Sequence, residues 1–153
     1  MSIAVRTDDD RIFIETIDCV NTTNGNAWII NFLRKADVNK VLIDGKNGQE
    51  MLKMDARSAH VKTRIDIATT GQVITASQIF MNGFTHKEIV HNRQPSLQQA
   101  VSNCDKRPIG SGGGYGFKAN KEGIDISIME SAVLAFYLCK TTDKVRKKQK
   151  MYV

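Results

Sequence analysis

The chain has 153 residues, 41% of them hydrophobic and 25% charged, and a net charge of +6 at neutral pH. That length suits one domain with a real core, and the composition is that of a soluble globular protein. No apolar run approaches the length of a membrane span, and "MSIAVRTDDDR" turns charged by residue 6, so neither a transmembrane segment nor a secretory leader is expected.

The first expected elements are two β-rich runs, residues 2–7 (SIAVRT) and 11–18 (RIFIETID), joined by a turn at Asp8, Asp9 and Asp10. In the second run Ile12, Ile14 and Thr16 alternate with Phe13, Glu15 and Ile17, the pattern of a half-buried strand. "NTTNGN" supplies turn and capping residues before a helix over about 27–35, where Trp28, Ile29, Phe32 and Leu33 share an apolar face. Val41, Leu42 and Ile43 form a continuous apolar run, as in a strand covered on both sides. The following helix has Met51, Leu52 and Met54 as its apolar residues. A strand over 63–69 and a helix over 71–83 come next, then "EIVH" as either a short strand or an extended piece, and a helix opened by Pro95 and Ser96. "RPIGSGGGYGF" predicts a glycine hairpin, and a last helix runs from about Ser127 to Lys140. The expected organisation is one α/β domain over 1–140 and a basic C-terminal tail over 141–153. The "KVRKKQKMYV" of that tail reads either as a solvated end or as an aid in holding nucleic acid.

Cys19, Cys104 and Cys139 are widely spaced with no CxxC pair. They read as reduced thiols of a cytosolic protein, and no structural zinc site is expected. His86 and His91 are five apart, which does not give the i, i+4 geometry of a helical zinc site, and His60 stands alone. "GSGGGYG" (110–116) lacks the Gly-Lys-Ser/Thr ending of a phosphate loop and fits a tight hairpin better. Carboxylates remain. Asp44 follows the buried strand, at the sheet edge where open α/β sheets bind ligands, although a turn former would also sit there. Asp125 precedes the last helix, where an N-cap is the simplest reading. If that helix packs beside the strand ending at Asp44, the two carboxylates converge, and hard oxygen ligands suit Mg²⁺ or Mn²⁺.

"NAWIINFLRK", "VLIDGKNG", "ASQIFMNGFTH", "NRQPSLQQAVSN", "RPIGSGGGYGF" and "DISIMESAVLAFY", in this order and spacing, resemble the C-terminal nuclease domain of the large terminase subunit of tailed bacteriophages and prophages. The resemblance runs from about residue 2 to 140. It implies a ribonuclease H-like mixed sheet flanked by helices and a metal-dependent endonuclease that hydrolyses phosphodiester bonds of concatemeric double-stranded DNA. Asp44 and Asp125 would be its catalytic metal ligands for two Mg²⁺ or Mn²⁺ ions, with Lys46, Arg93, Lys118 and Lys121 on the DNA phosphates. Through the full-length protein the implied partners are the terminase small subunit and the portal, in the cytoplasm of the bacterial host.

The sequence departs from that family in one respect. Only two strands precede the first helix where the fold has three, and the first, central strand carries the family's first metal-binding aspartate. Asp8, Asp9 and Asp10 fall at a hairpin tip, and Asp18 is a less remote substitute. Two expectations follow. Unpaired strand edges should favour self-association. The alternative to an active nuclease is a catalytically incomplete module of the same fold that binds DNA or a packaging partner. A ribonuclease H-like resolvase or transposase would share the metal chemistry.

Overall fold

A computed structural model describes residues 1–45 and 49–142. Lys46 and nearly all of the basic tail therefore lie outside the described residues. The protein is α/β, with five helices and three small sheets. Strands β1 (Ser2–Arg6) and β2 (Ile12–Thr16) pair antiparallel around the acidic turn. There Asp10 adopts a left-handed φ of 64°, a conformation that short polar residues tolerate better than most. A short 3-10 turn leads into helix α1 (Ala27–Lys35). Strand β3 (Lys40–Ile43), helix α2 (Gln49–Ser58) and strand β4 (Arg64–Ile67) form a βαβ unit whose strands are parallel.

Helix α3 (Thr70–Thr85) opens with a reciprocal capping box between Thr69 and Gln72. Strand β5 (Ile89–His91) adds in parallel to β2. The amide of Gln94, just beyond it, accepts from Thr16 N–H (2.8 Å) and donates to Thr16 C=O (2.9 Å), continuing the ladder with a side chain. Helix α4 (Pro95–Ser102), the hairpin β6 (Cys104–Ile109) with β7 (Gly114–Ala119), and helix α5 (Ser127–Thr141) complete the chain.

Two apolar clusters hold these elements. The larger gathers Ile12, Ile14, Phe80, Met129, Val133 and Phe136 between the β1–β2–β5 sheet, α3 and α5. The smaller, around Ile30, Leu52 and Ala56, joins α1 and α2 to the β3–β4 pair. Strand β3 serves both, because Leu42 packs on the larger cluster and Ile43 on the smaller. The strand is covered on both faces as its apolar run implies, yet every residue in it remains half-exposed, and among the described residues one of its edges carries no partner strand.

Helix α5 lies against β1, β2 and β3. The N–H of Ser2 donates to Ser131 Oγ at 2.7 Å and the Arg6 guanidinium donates to the carbonyl of Cys139 at 3.0 Å, so β1 runs in the direction of α5.

Some expectations need correction. Met51 and Met54 on α2 are 65% and 62% exposed, and Leu52 with Ala56 forms the buried side instead. Of the three apolar residues named for this helix only Leu52 is buried, and the packed stripe runs from 52 to 56. In α1 the buried residues are Ile30 and Leu33. The strand expected over 63–69 is confined to Arg64–Ile67. All three histidines are exposed and each cysteine is free, in line with the sequence reading. Among the described residues no helix is long and apolar enough to cross a membrane.

Candidate carboxylate site

Asp44 stands where β3 ends, and α5 begins close by. Asp44 has the turn role foreseen for it, whereas Asp125 is not the N-cap of α5, a position held by Ile126, but lies one residue before it. Asp44 Oδ1 accepts from Gly45 N–H at 2.7 Å, at a glycine whose φ of 109° suits a sharp turn. Asp125 Oδ1 accepts from Ser127 N–H at 2.7 Å and so satisfies a free donor at the start of α5. Each bond engages one oxygen of a carboxylate that offers about four lone-pair positions.

The residue that links them is Glu130, in the first turn of α5. It is half-buried; its N–H donates to the Ile126 carbonyl at 3.1 Å, while its carboxylate makes no hydrogen bond or ion pair among the described residues. Its carboxyl pKa is raised above the ordinary glutamate value, first by burial and next by the negative charge of Asp44. The guanidinium of Arg107 pulls the other way, and Asp125 adds a smaller upward push. Three carboxylates from two elements thus share one electrostatic neighbourhood, with an arginine from the β6–β7 hairpin facing it. Asp44, Ser77, Arg107 and Glu130 are among the residues lining a cavity of about 20 Å³, room for one water.

The hairpin reaches this position because β7 presents glycine to α3. A Cβ at Gly114 would stand 2.8 Å from Ile74 Cδ1, so the glycine lets the strand approach the helix closely and a larger residue would require Ile74 to shift. In the hairpin register Arg107 lies opposite Gly116 and Asp105 opposite Lys118. Arg107 and Lys118 therefore project from the same face of the ladder.

The basic residues named from sequence fare unevenly. Lys118 and Lys121 are exposed, on β7 and in the turn after it. Arg93 occupies the turn between β5 and α4 with a left-handed φ of 56°. None of the three lines the carboxylate cavity. The acidic triplet stays at its hairpin tip, where Asp9 is held below the usual carboxylate pKa by hydrogen bonds from Thr7 and Arg11. Asp18 Oδ1 accepts from the N–H of Cys19 at 2.7 Å.

Glu130 and Arg107 were not found by sequence reasoning. A signal for Glu130 existed. Ile126, Met129, Val133 and Leu134 are all buried, and Glu130 lies three or four residues from three of them, a charge placed on an apolar stripe. For Arg107 the sequence carries no such mark.

A divalent cation would find donors of suitable kind here, since carboxylate oxygens are hard ligands. Among the described residues, however, no three His, Cys, Asp or Glu side chains stand close enough to hold a metal ion together. The set fits a cation held by one or two carboxylates and completed by water or substrate phosphate, which is the common manner for Mg²⁺. It does not fit a closed protein cage. No family model, curated protein or solved structure matches this chain.

Proposed function

We propose that this chain is a ribonuclease H-like, divalent-metal-dependent DNA endonuclease domain of the kind found in phage packaging terminases. The observation that carries the reading is the convergence of Asp44, Glu130 and Asp125 at the end of β3 and the start of α5. The arrangement of strands supports it. Helix α5 lies against both β1 and β3, and β2 and β4 pair with these strands, an arrangement compatible with a ribonuclease H-like sheet that lacks its central first strand.

In this reading Asp44 and Glu130 would hold Mg²⁺ or Mn²⁺, and Asp125 contributes charge from the residue before the N-cap of α5. When bound, such an ion would lower the pKa of a water so that its hydroxide form could attack a phosphodiester, and would supply charge for the leaving oxygen. The protein's own groups do the rest. Arg107, with no carboxylate in ion-pair contact among the described residues, can orient a phosphate beside the carboxylates. Lys118 on the same hairpin face extends that contact along the strand. The net charge of +6 favours DNA without regard to sequence.

The test is nicking of supercoiled plasmid in the presence of Mn²⁺, with a chelator control. Asp44→Asn is expected to abolish nicking while circular dichroism stays unchanged, and cutting at the parental rate would refute the site. A second reading, a non-catalytic DNA-binding module, is favoured by the lack of three metal-capable side chains together among the described residues. Chelator-insensitive DNA binding without cleavage would select it.

A further inference from the structure

A second cavity opens away from the carboxylates, where α3 ends and β5 runs. Its volume is about 530 Å³, and Phe84, Thr85, Lys87, Ile89 and His91 line it. That volume falls within the usual span of small-ligand sites, about 300–1,000 Å³. Glu88, in the same turn, accepts a hydrogen bond from Lys140 Nζ at 2.8 Å, and Lys140 lies ten residues beyond Glu130 on α5. A helix rises about 1.5 Å per residue, which sets this groove roughly 15 Å from the carboxylate site.

The lining joins an apolar ring to cationic and hydrogen-bonding groups. Phe84 is 62% exposed, and Ile89 ties the wall to the larger apolar cluster. Among the described residues the Lys87 ammonium has no ion-pair partner and no carboxylate lines the groove. His91 Nδ1 accepts from Arg93 N–H at 3.0 Å, so the neutral ring carries its proton on Nε2 and can donate it. Lys87 also stands where glycine is the usual choice. Helix α3 closes with Glu88 N–H donating to the Gly83 carbonyl at 2.8 Å and Lys87 N–H to that of Phe84 at 3.2 Å, the pattern that places a left-handed residue just past the helix end. Lys87 takes that conformation, with φ 57°, although side chains are disfavoured there. The helix dipole welcomes a cation, but a lysine in the last turn would supply one without the strain. Ending the helix does not account for this lysine, whereas an anion in the groove does.

We infer that this groove holds one nucleotide of an unpaired DNA strand, with the base stacked on Phe84 and the phosphate on Lys87 and His91. Every base has a flat apolar face, and an exposed aromatic ring beside basic groups is the recurring platform for single strands. A duplex keeps its bases stacked on one another and offers Phe84 none. The net charge of +6 draws a polyanion to the surface. The contact of base with ring and phosphate with lysine stands without the nuclease reading, because it uses neither metal nor carboxylate. Only the choice of DNA over RNA rests on that reading.

The probe is a short fluorescein-labelled oligothymidine, titrated by fluorescence anisotropy with a chelator present so that no cleavage intervenes. An abasic strand of equal length carries the phosphates without the bases. It is expected to bind the protein about fivefold or more weakly, the low end for one stacked base. Phe84→Ala should weaken oligothymidine by the same factor and bind both strands alike, and Phe84→Trp should restore the difference. Lys87→Gly is expected to keep a Tm no lower than that of the parent, since glycine relieves the left-handed strain. It should also flatten the plot of log K against log salt concentration by about 0.7, the share of one phosphate on a single strand. Equal binding of the two strands, or parental affinity in Phe84→Ala, would overturn the inference. So would displacement of the oligonucleotide by the acidic peptide Asp-Glu-Phe-Glu-Asp at lower concentration than by unlabelled oligothymidine, which would give the groove to a protein partner. Tighter binding of oligouridine would overturn the choice of DNA. Nicking in Mn²⁺ is a separate measurement, so either reading can fail while the other stands.

Discussion

At the scale of single residues, Glu130 is the side chain whose state reports on the site. Its carboxyl holds its proton more tightly in the native protein than in the unfolded chain, through burial and then Asp44. For an acid with a raised native pKa the folded state binds more protons, so stability falls as pH rises from the ordinary glutamate range toward the raised value. Glu130→Gln is therefore expected to raise Tm at pH 7. The gain should vanish near pH 3, where the native glutamate is protonated in both states. For a chain of this size each kcal/mol corresponds to about 2–4 °C in Tm. The same variant should lose Mn²⁺-dependent nicking, so stability and activity would move in opposite directions. A drop in Tm at pH 7 would show that Glu130 is not held at a cost. Asp44 and Asp125 were legible because a carboxylate at a strand end and one at a helix start are local patterns. Glu130 and Arg107 were not, since their significance arises only when α5, β3 and the hairpin meet, and separation along the chain hides that meeting.

At the scale of elements, the packing of α3 on α5 turns on a single absent methyl group. A Cβ at Gly83 would collide with the Phe136 ring, which is fully buried and stands edge-on to Phe80 with centroids 5.6 Å apart. Alanine at this helical position should gain up to about 1 kcal/mol in helix propensity. Overpacking against an immobile core ring costs about 1–3 kcal/mol, so steric cost wins and Gly83→Ala is expected to destabilise, as read by urea denaturation. Phe136→Ala should cost about 3–5 kcal/mol by the same measure, the usual loss for a large buried aromatic. Element type and order were readable from the chain because strand alternation and helix punctuation are local: the acidic turn, Pro95 and the glycine hairpin each fell where expected. Pairing was not. Nothing in "IVH" says that it lies parallel to β2, and nothing in the sequence announces that Gln94 will complete that ladder with its side chain.

At the scale of the whole molecule, charge and open edges govern behaviour in solution. With a net charge of +6, any DNA binding should weaken steeply with salt. A plot of log K against log salt concentration should have a slope of about −0.9 for each phosphate neutralised, and Lys118→Ala together with Lys121→Ala should flatten it. A slope unchanged in that double variant would move the DNA contact elsewhere. The outer edges of β1 and β3, which pair with no strand among the described residues, also predict concentration-dependent association, readable by light scattering as a rising mean mass. A constant monomer mass up to high concentration would count against sticky edges. Strand β3 gives this architecture one more property. Its successive side chains are gripped by separate apolar bodies, Leu42 by one and Ile43 by the other, and Asp44 is the tip of that shared beam. A cavity cut into the minor body, for instance by Leu52→Ala, would slacken one of the two grips and let the tip wander. Chemistry at the carboxylates would then suffer from a change that touches none of them.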